Sequence, residues 1–318
     1  MSSGGETESS IEDGDLSSLD GESVEDFGSF KYDETTDALE LVKHGFECYD
    51  DEKNDFEIIC AMRYSPLRRK TDDITEENFL LFKTQWQRFR YTLAFFKWDV
   101  ELPRQHLFQE LKKTVEELDP SKPYKMRVAI RHDKSLRVQA FEVPPKTNLF
   151  FGLQLAPEKF AKSSETYRVY LDDKTSVVGP FTSFKTTRRS VYSEARERKL
   201  NDPNDTDSRP KEVVLFNARD EATEGSITNI AFKRDGRWIT PALTSGCLCG
   251  VVRHFLISRG ILLQGNIFRH TIRPGEPVLL FNGVIGVCPG IIVDPQSEPT
   301  KQTKPEPSEK EAGKQSSS

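Results

Sequence analysis

The polypeptide of 318 residues is 36% hydrophobic, which is enough apolar material for the cores of about two domains. Its longest apolar runs, 148–156 and 278–288, are shorter than the roughly 20 residues that a membrane helix needs, so we expect no membrane association. The five cysteines have no repeated spacing and no histidines at ligand spacing, which argues against a disulfide framework and against a metal site.

The net charge of −6 is unevenly distributed along the chain. Residues 1–38 contain twelve Asp and Glu against one Lys, so the rest of the chain has a balance of +5 (−6 + 11). This acidic arm and the polar tail 295–318 hold too little apolar surface to fold, and we expect both to be disordered. The mildly basic remainder suits an anionic small ligand. This part of the chain has no basic patch interleaved with aromatics, so we expect no nucleic-acid binding. The first residues are acidic and do not resemble a secretory signal or a transit peptide, so we expect a cytoplasmic protein.

The first half is predicted to contain two helices and a small antiparallel sheet. One helix begins at Phe79, because the following apolar residues are three or four positions apart: Phe82, Trp86, Phe89, Leu93 and Phe96. A second helix is predicted at about 105–118. Four runs rich in β-branched and apolar residues predict strands, at 56–64, 126–132, 137–143 and 147–155.

In the second half, predicted strands and helices alternate. The strands are 166–172 and 212–217, followed by a hairpin over 228–241 whose turn is the Asp235-Gly236 pair. Helices are predicted at 186–200 and at about 248–259. Residues 201–210 are polar and rich in turn formers, so we expect them to form a surface insertion.

Four short motifs follow one another in this half of the chain. The first is Lys185-Thr186 with Arg189, and the second places Glu224 five residues before Asn229. The third and fourth consist of a Thr-Pro pair and a glycine-rich helix start: Thr240, Pro241, Gly246, Leu248, Gly250 and Arg253. In this order they resemble the fold-type IV pyridoxal-phosphate enzymes, that is, branched-chain aminotransferases, D-amino-acid aminotransferases and aminodeoxychorismate lyases. The resemblance extends over about residues 45–290.

The resemblance implies an α+β fold of two domains. Residues 39–155 would form a small N-terminal α/β sandwich, and residues 156–294 would form a larger, cofactor-binding pseudo-barrel with flanking helices. The family also implies a homodimer with active sites near the subunit interface, and pyridoxal 5′-phosphate as the cofactor.

The same resemblance assigns the catalytic role to Lys185. A lysine amine stores the cofactor as an imine, is displaced by the substrate amine, and then acts as a base toward the neighbouring C–H proton. Arginine cannot replace it, because a guanidinium stays protonated. Glu224 would keep the pyridine nitrogen protonated and so make the ring a strong electron sink.

The cofactor phosphate needs a cation and free N–H groups. By resemblance, Arg88 supplies the first, and the backbone of Val251 and Val252 at a helix N-terminus supplies the second. Arg63 follows a family arginine on a strand that carries substrate-facing residues, and is therefore a candidate for substrate binding.

The predicted reaction depends on one segment of this resemblance. Residues 167–199 most resemble fungal aminodeoxychorismate lyases, which predicts conversion of 4-amino-4-deoxychorismate to 4-aminobenzoate and pyruvate, with Lys185 moving the protons. Two positions depart from the family pattern: Ala61 stands where some lyases have a threonine, and Gln85 stands where the family has a histidine. An aminotransferase using a 2-oxo acid, with the same Lys185, and a non-catalytic cofactor-binding protein are the alternatives.

Overall fold

The protein is described by a computed structural model that covers residues 55–66, 73–203 and 205–293. The arm 1–38 and the tail 295–318 lie outside the described residues, so their disorder stays a prediction. The proposed division of the chain into domains at 155–156 also stays a prediction. The described residues form two β-sheets with helices packed against them, which confirms the α+β fold class.

The first sheet is antiparallel and has the strand order β1-β2-β3. Its strands are β1 (Ile58–Tyr64), β2 (Tyr124–Ile130) and β3 (Leu136–Glu142), and the helices are α1 (Phe82–Phe95) and α2 (Arg104–Glu116). All five were predicted within a few residues. Helix α1 begins three residues later than predicted, because Leu81 adopts a left-handed conformation (φ 53°) that ends the preceding turn.

Alternate side chains of β1 point to opposite faces of this sheet. One set joins α1 and α2 in a single hydrophobic core, and its members are at most 2% exposed: Ile58, Cys60, Met62 and Tyr64. The other set, Ile59, Ala61 and Arg63, lies on the opposite face. Helix α2 completes the core with Leu107, Leu111 and Val115, which are 0% exposed, as the predicted spacing requires.

The second sheet has eight strands in the order β6-β5-β4-β11-β10-β7-β8-β9. It is mixed, because β4 runs parallel to β5 and β11 and β8 runs parallel to β9, while the other pairs are antiparallel. Its strands are β4 (Tyr167–Ser176), β5 (Lys211–Asn217), β6 (Ala222–Gly225), β7 (Asn229–Arg234), β8 (Arg237–Pro241), β9 (Leu262–Gly265), β10 (Pro277–Asn282) and β11 (Gly286–Ile292).

Four helices accompany this sheet: α3 (Phe151–Gln154), α4 (Pro180–Ser183), α5 (Ser190–Leu200) and α6 (Val251–Ser258). The predicted hairpin is confirmed as β7 and β8. Its turn has positive φ angles at Asp235 (49°) and Gly236 (78°), as a two-residue hairpin turn of type I′ requires.

The predicted strand at 147–155 is wrong, because this segment contains a turn and the short helix α3 instead. The Asn148 side chain accepts a hydrogen bond from the Phe150 N–H (2.8 Å), which favours a turn. Gly152 packs so closely on β11 that an added Cβ would lie 2.9 Å from the carbonyl carbon of Cys288. Hydrophobicity alone does not distinguish a buried helix of this length from a strand.

The segment before α5 is extended, so the helix predicted at 186–200 begins only at Ser190. Thr186 forms a β-bridge with Ile58, and the Lys185 carbonyl accepts from the Ile59 N–H (2.9 Å). The Thr187 N–H donates to the Glu57 carbonyl (2.9 Å). Residues 185–187 therefore extend the first sheet along the free edge of β1, although they belong to the second half of the chain.

The polar segment 201–210 is fastened to the second sheet by a charged cluster. The Asp205 carboxylate accepts from Arg168 of β4 (2.6 Å) and pairs with Lys211 of β5 (2.5 Å).

In the parts of the chain that the structure describes, no helix combines the length and the apolar character needed to cross a membrane.

Candidate active site

Lys185 lies where the two sheets meet, and its amine is not engaged. Among the described residues, none forms a hydrogen bond or ion pair with its Nζ. Burial, with the positive charges of Arg189 and Arg88 nearby, lowers the pKa of Lys185 to about 7. A large fraction of the side chain is therefore a neutral amine near pH 7, which is the form that attacks a carbonyl carbon.

Glu224 is a buried carboxylate on β6 with three hydrogen-bond donors. Its Oε1 accepts from the Tyr192 hydroxyl (2.7 Å) and the Leu248 N–H (3.2 Å), and its Oε2 accepts from Asn229 Nδ2 (3.3 Å). Burial raises the pKa of Glu224 to about 7, although the hydrogen bonds from Tyr192 and Leu248 and the positive charges of Arg189 and Lys185 act in the opposite direction. The structure thus brings Glu224 and Lys185 within electrostatic range of each other.

Arg88 is held on α1 by the side chain that departs from the family pattern. Its guanidinium donates to Gln85 Oε1 (3.0 Å), and the same oxygen accepts from the Cys60 thiol (2.9 Å). Gln85 Nε2 donates to the Ala61 carbonyl (3.3 Å). The two departures, Gln85 and Ala61, are therefore in contact, and Gln85 orients the arginine expected to bind phosphate.

The N-terminus of α6 presents unpaired N–H groups. Gly250 is its N-cap residue, and no side chain of the described residues caps the first turn at Val251 and Val252. A Cβ at Gly250 would lie 1.8 Å from Asn229 Oδ1, and a Cβ at Gly283 would lie 2.4 Å from Gln85 Nε2 and 3.5 Å from Val251 Cγ2. These close approaches bring the start of α6 beside the Gln85–Arg88 pair.

The guanidinium of Arg63, a predicted site residue, is hydrogen-bonded to protein groups. Arg63 is 3% exposed, and its guanidinium donates to Ser65 Oγ (3.1 Å) and to the Pro144 carbonyl (2.6 Å). Burial lowers the pKa of Arg63. Its backbone N–H donates to the Gly283 carbonyl (2.8 Å), so the residue borders the site even though its charged group points to Pro144.

Two residues of the site were not identified from the sequence, Tyr192 and Cys60. Tyr192 follows Arg189 by one helical step of three residues, and the two side chains stack with the guanidinium carbon 4.3 Å from the ring centroid. That spacing was the signal available in the sequence. Cys60 carried no such signal, because an inward-facing cysteine of a strand resembles any small core residue.

The arrangement fits pyridoxal phosphate. It offers a neutral lysine amine, a buried carboxylate suited to a protonated pyridine nitrogen, and an uncapped helix N-terminus beside an arginine for the phosphate. The fit comes from groups that the fold leaves without a full set of partners, above all Lys185 Nζ.

The chain belongs to the family described as amino-transferase class IV, whose model matches residues 73–290. This is a class of pyridoxal-phosphate-dependent enzymes. The protein is therefore an enzyme, and the alternative of a non-catalytic cofactor-binding protein is rejected. The chain is also 30% identical over 294 aligned residues to the aminodeoxychorismate lyase of Saccharomyces cerevisiae, with 80% of this chain and 76% of that protein covered.

Many solved structures share its fold. A protein from Legionella pneumophila with a proposed 4-amino-4-deoxychorismate lyase activity has a TM-score of 0.57 at 15% identity, covering 75% of this chain and 83% of the other. The branched-chain amino acid aminotransferase of Escherichia coli has a TM-score of 0.56 at 14% identity, covering 77% and 78%. At such identities the likeness establishes the fold alone.

The pKa of Lys185 predicts how cofactor binding depends on pH. Only the neutral amine reacts, so the association rate with pyridoxal phosphate should fall about tenfold for each pH unit below 7 and level off above about 8. Stopped-flow absorbance between pH 5.5 and 10 measures this rate, with N-acetyl-lysine amide as the control. A protein rate that keeps rising to pH 10, as the control should, would mean an ordinary lysine.

Proposed function

We propose that this enzyme is a pyridoxal-phosphate-dependent lyase that converts 4-amino-4-deoxychorismate to 4-aminobenzoate and pyruvate. The observation that carries the proposal is the 30% identity, across most of both chains, to the aminodeoxychorismate lyase of Saccharomyces cerevisiae. The site is compatible with it, because Lys185, Glu224 and Arg88 lie together around the start of α6.

Lys185 and Glu224 would divide the chemistry between them. Bound pyridoxal phosphate would supply an electron sink conjugated with the substrate amine. Lys185 Nζ, with a pKa of about 7, would take the proton from the substrate ring carbon and return a proton as pyruvate leaves. Glu224, aligned by Tyr192 and Asn229, would hold a proton at the pyridine nitrogen. Formation of the aromatic ring of 4-aminobenzoate drives the elimination.

The remaining predicted residues would bind rather than react. Arg88 and the N–H groups of Val251 and Val252 would hold the phosphate, and Arg63 would contribute positive charge at the border of the substrate site. The face of the first sheet that carries Arg63 also carries Lys125, Arg127 and Arg137, by strand alternation. Arg127 and Arg137 both pair with the Glu57 carboxylate, and the cations that remain in excess suit a substrate with two carboxylates.

The test is to measure pyruvate release from 4-amino-4-deoxychorismate with no 2-oxo acid present. We expect equal amounts of pyruvate and 4-aminobenzoate, and no change when 2-oxoglutarate is added. Amino transfer to 2-oxoglutarate without pyruvate release would instead identify an aminotransferase. Lys174→Ala, at an exposed lysine, serves as the control variant and should retain wild-type activity.

We further propose a homodimer in a reducing compartment such as the cytoplasm. Support for the dimer comes from the family resemblance and from exposed apolar side chains, Val177 (88%) and Ile227 (46%). The free thiols of Cys60, Cys247, Cys249 and Cys288 support the compartment. Analytical ultracentrifugation tests the dimer directly.

A further inference from the structure

Glu212 of β5 is a fully buried carboxylate with no role in the chemistry described above; its exposure is 0%. Its Oε1 accepts from the N–H groups of Val213 (2.8 Å) and Ser226 (2.9 Å) and from the Ser226 hydroxyl. Its Oε2 accepts from the Ile227 N–H (3.2 Å) and the Thr228 hydroxyl (2.9 Å). These five donors, with an ion pair from Arg196 (3.6 Å to Oε1), match a carboxylate that only accepts.

Four of these five hydrogen bonds come from the turn 226–228, which joins β6 to β7. Glu224 stands two residues before this turn, and Asn229 stands directly after it. Gly225 permits the close contact, because a Cβ there would lie 2.9 Å from the Glu212 carboxyl carbon. Among the described residues, the Glu212 carboxylate therefore makes most of the side-chain hydrogen bonds to the turn that separates Glu224 from Asn229.

The turn also holds a cation of the active site. The Ser226 carbonyl accepts from the Arg189 guanidinium (2.5 Å), which stacks on the Tyr192 ring, and the Tyr192 hydroxyl donates to Glu224. The Asn229 amide donates both to Glu224 (3.3 Å) and to the Leu248 carbonyl (2.9 Å) in the loop before α6. Two of the three side-chain contacts of Glu224, from Tyr192 and Asn229, thus come from residues that neighbour the turn or contact a residue bonded to it.

We propose that Glu212 is a positioning residue, which anchors the turn 226–228 and so places Glu224 and Arg189 around the cofactor. The inference rests on the proposed use of pyridoxal phosphate. A carboxylate is costly to bury, and main-chain hydrogen bonds alone suffice for an ordinary strand connection. A fully bonded anion at this point rigidifies the support of a reactive group, as precise sites require.

The test compares Glu212→Gln with Glu221→Gln. Glutamine keeps the size of Glu212 but turns one acceptor into a donor, so either the Ile227 N–H or the Val213 and Ser226 N–H groups lose their acceptor. The control, Glu221, is also a buried carboxylate (4% exposed), but it lies at the other end of β6 and binds Asn217 and Arg219. Both variants should lower the melting temperature.

Only Glu212→Gln should lower the affinity for pyridoxal phosphate, measured by absorbance titration, by about tenfold, with a similar loss in kcat. The Glu221→Gln affinity should stay within about twofold of wild type. Unchanged affinity in Glu212→Gln, or equal losses in the two variants, would show that Glu212 is merely structural.

If Glu212→Gln does not fold, Thr228→Val takes its place, since it removes one donor and nearly preserves shape. A loss of affinity of about threefold is then expected, and none would overturn the inference. The affinity for pyridoxal phosphate is measured independently of pyruvate release. A wild-type protein that binds pyridoxal phosphate but releases no pyruvate would contradict the lyase proposal, and the Glu212 inference would still be decided by affinity.

Discussion

Lys185→Ala is expected to abolish the absorbance band that pyridoxal phosphate shows when it is bonded to a lysine, and to lower kcat by roughly 10⁴-fold or more. Both effects follow from the loss of Nζ, the unpaired amine whose pKa is lowered to about 7. Difference spectra after addition of the cofactor measure the first effect. Pyruvate release under single-turnover conditions measures the second.

Lys185→Arg separates charge from reactivity. The arginine preserves a positive group and most of the side-chain volume but stays protonated, so it should be as inactive as the alanine variant while folding at least as well. Lys174→Ala, at an exposed lysine, should keep both the band and the activity. A Lys185→Ala protein that retained the band would show that a different lysine holds the cofactor.

Glu224→Gln is expected to lower kcat about 100-fold or more while leaving the protein folded. The amide can still accept from the Tyr192 hydroxyl, but it carries no negative charge to hold a proton at the pyridine nitrogen. Steady-state kinetics and the pH dependence of the bound-cofactor spectrum measure the change. The largest spectral difference from wild type is expected above pH 7, where the wild-type carboxylate is ionised.

Glu224→Asp provides the matched variant for this experiment. Aspartate keeps the negative charge but is one methylene shorter, so the carboxylate lies farther from the pyridine nitrogen. The activity should therefore lie between that of wild type and that of Glu224→Gln. Equal activity of Glu224→Gln and wild type would exclude an ionic contact between Glu224 and the cofactor ring.

Much of this site was predictable because its residues occur as ordered motifs in the sequence. Lys185, Glu224 and the glycine-rich start of α6 each have a fixed position relative to a strand or helix that the sequence also predicts, and the structure brings them together with Arg88. The strands of the first sheet and the Asp235-Gly236 hairpin were predictable for a similar reason, since alternation and turn chemistry are local properties.

The supporting contacts were not predictable, because they depend on tertiary packing. The Tyr192–Glu224 hydrogen bond joins residues 32 apart and requires α5 to lie against β5. The carboxylate of Glu212 looks like a solvent-facing charge in the sequence, and only the approach of Gly225 makes it a buried anchor. The strand predicted at 147–155 was wrong for a related reason. The apolar side chains of this segment pack against β10 and β11, and its backbone does not pair as a strand.

The pairing of residues 185–187 with β1 has a consequence for how the protein is made. The Glu57 N–H donates to Thr187 Oγ1 across a separation of 130 residues (2.8 Å). At typical synthesis rates, the edge of β1 therefore emerges from the ribosome on the order of ten seconds before its partner exists. During that interval it is an open edge, available to other chains. Lys185 is thus fixed in place by a pairing that forms late in synthesis, and the same pairing covers the open edge.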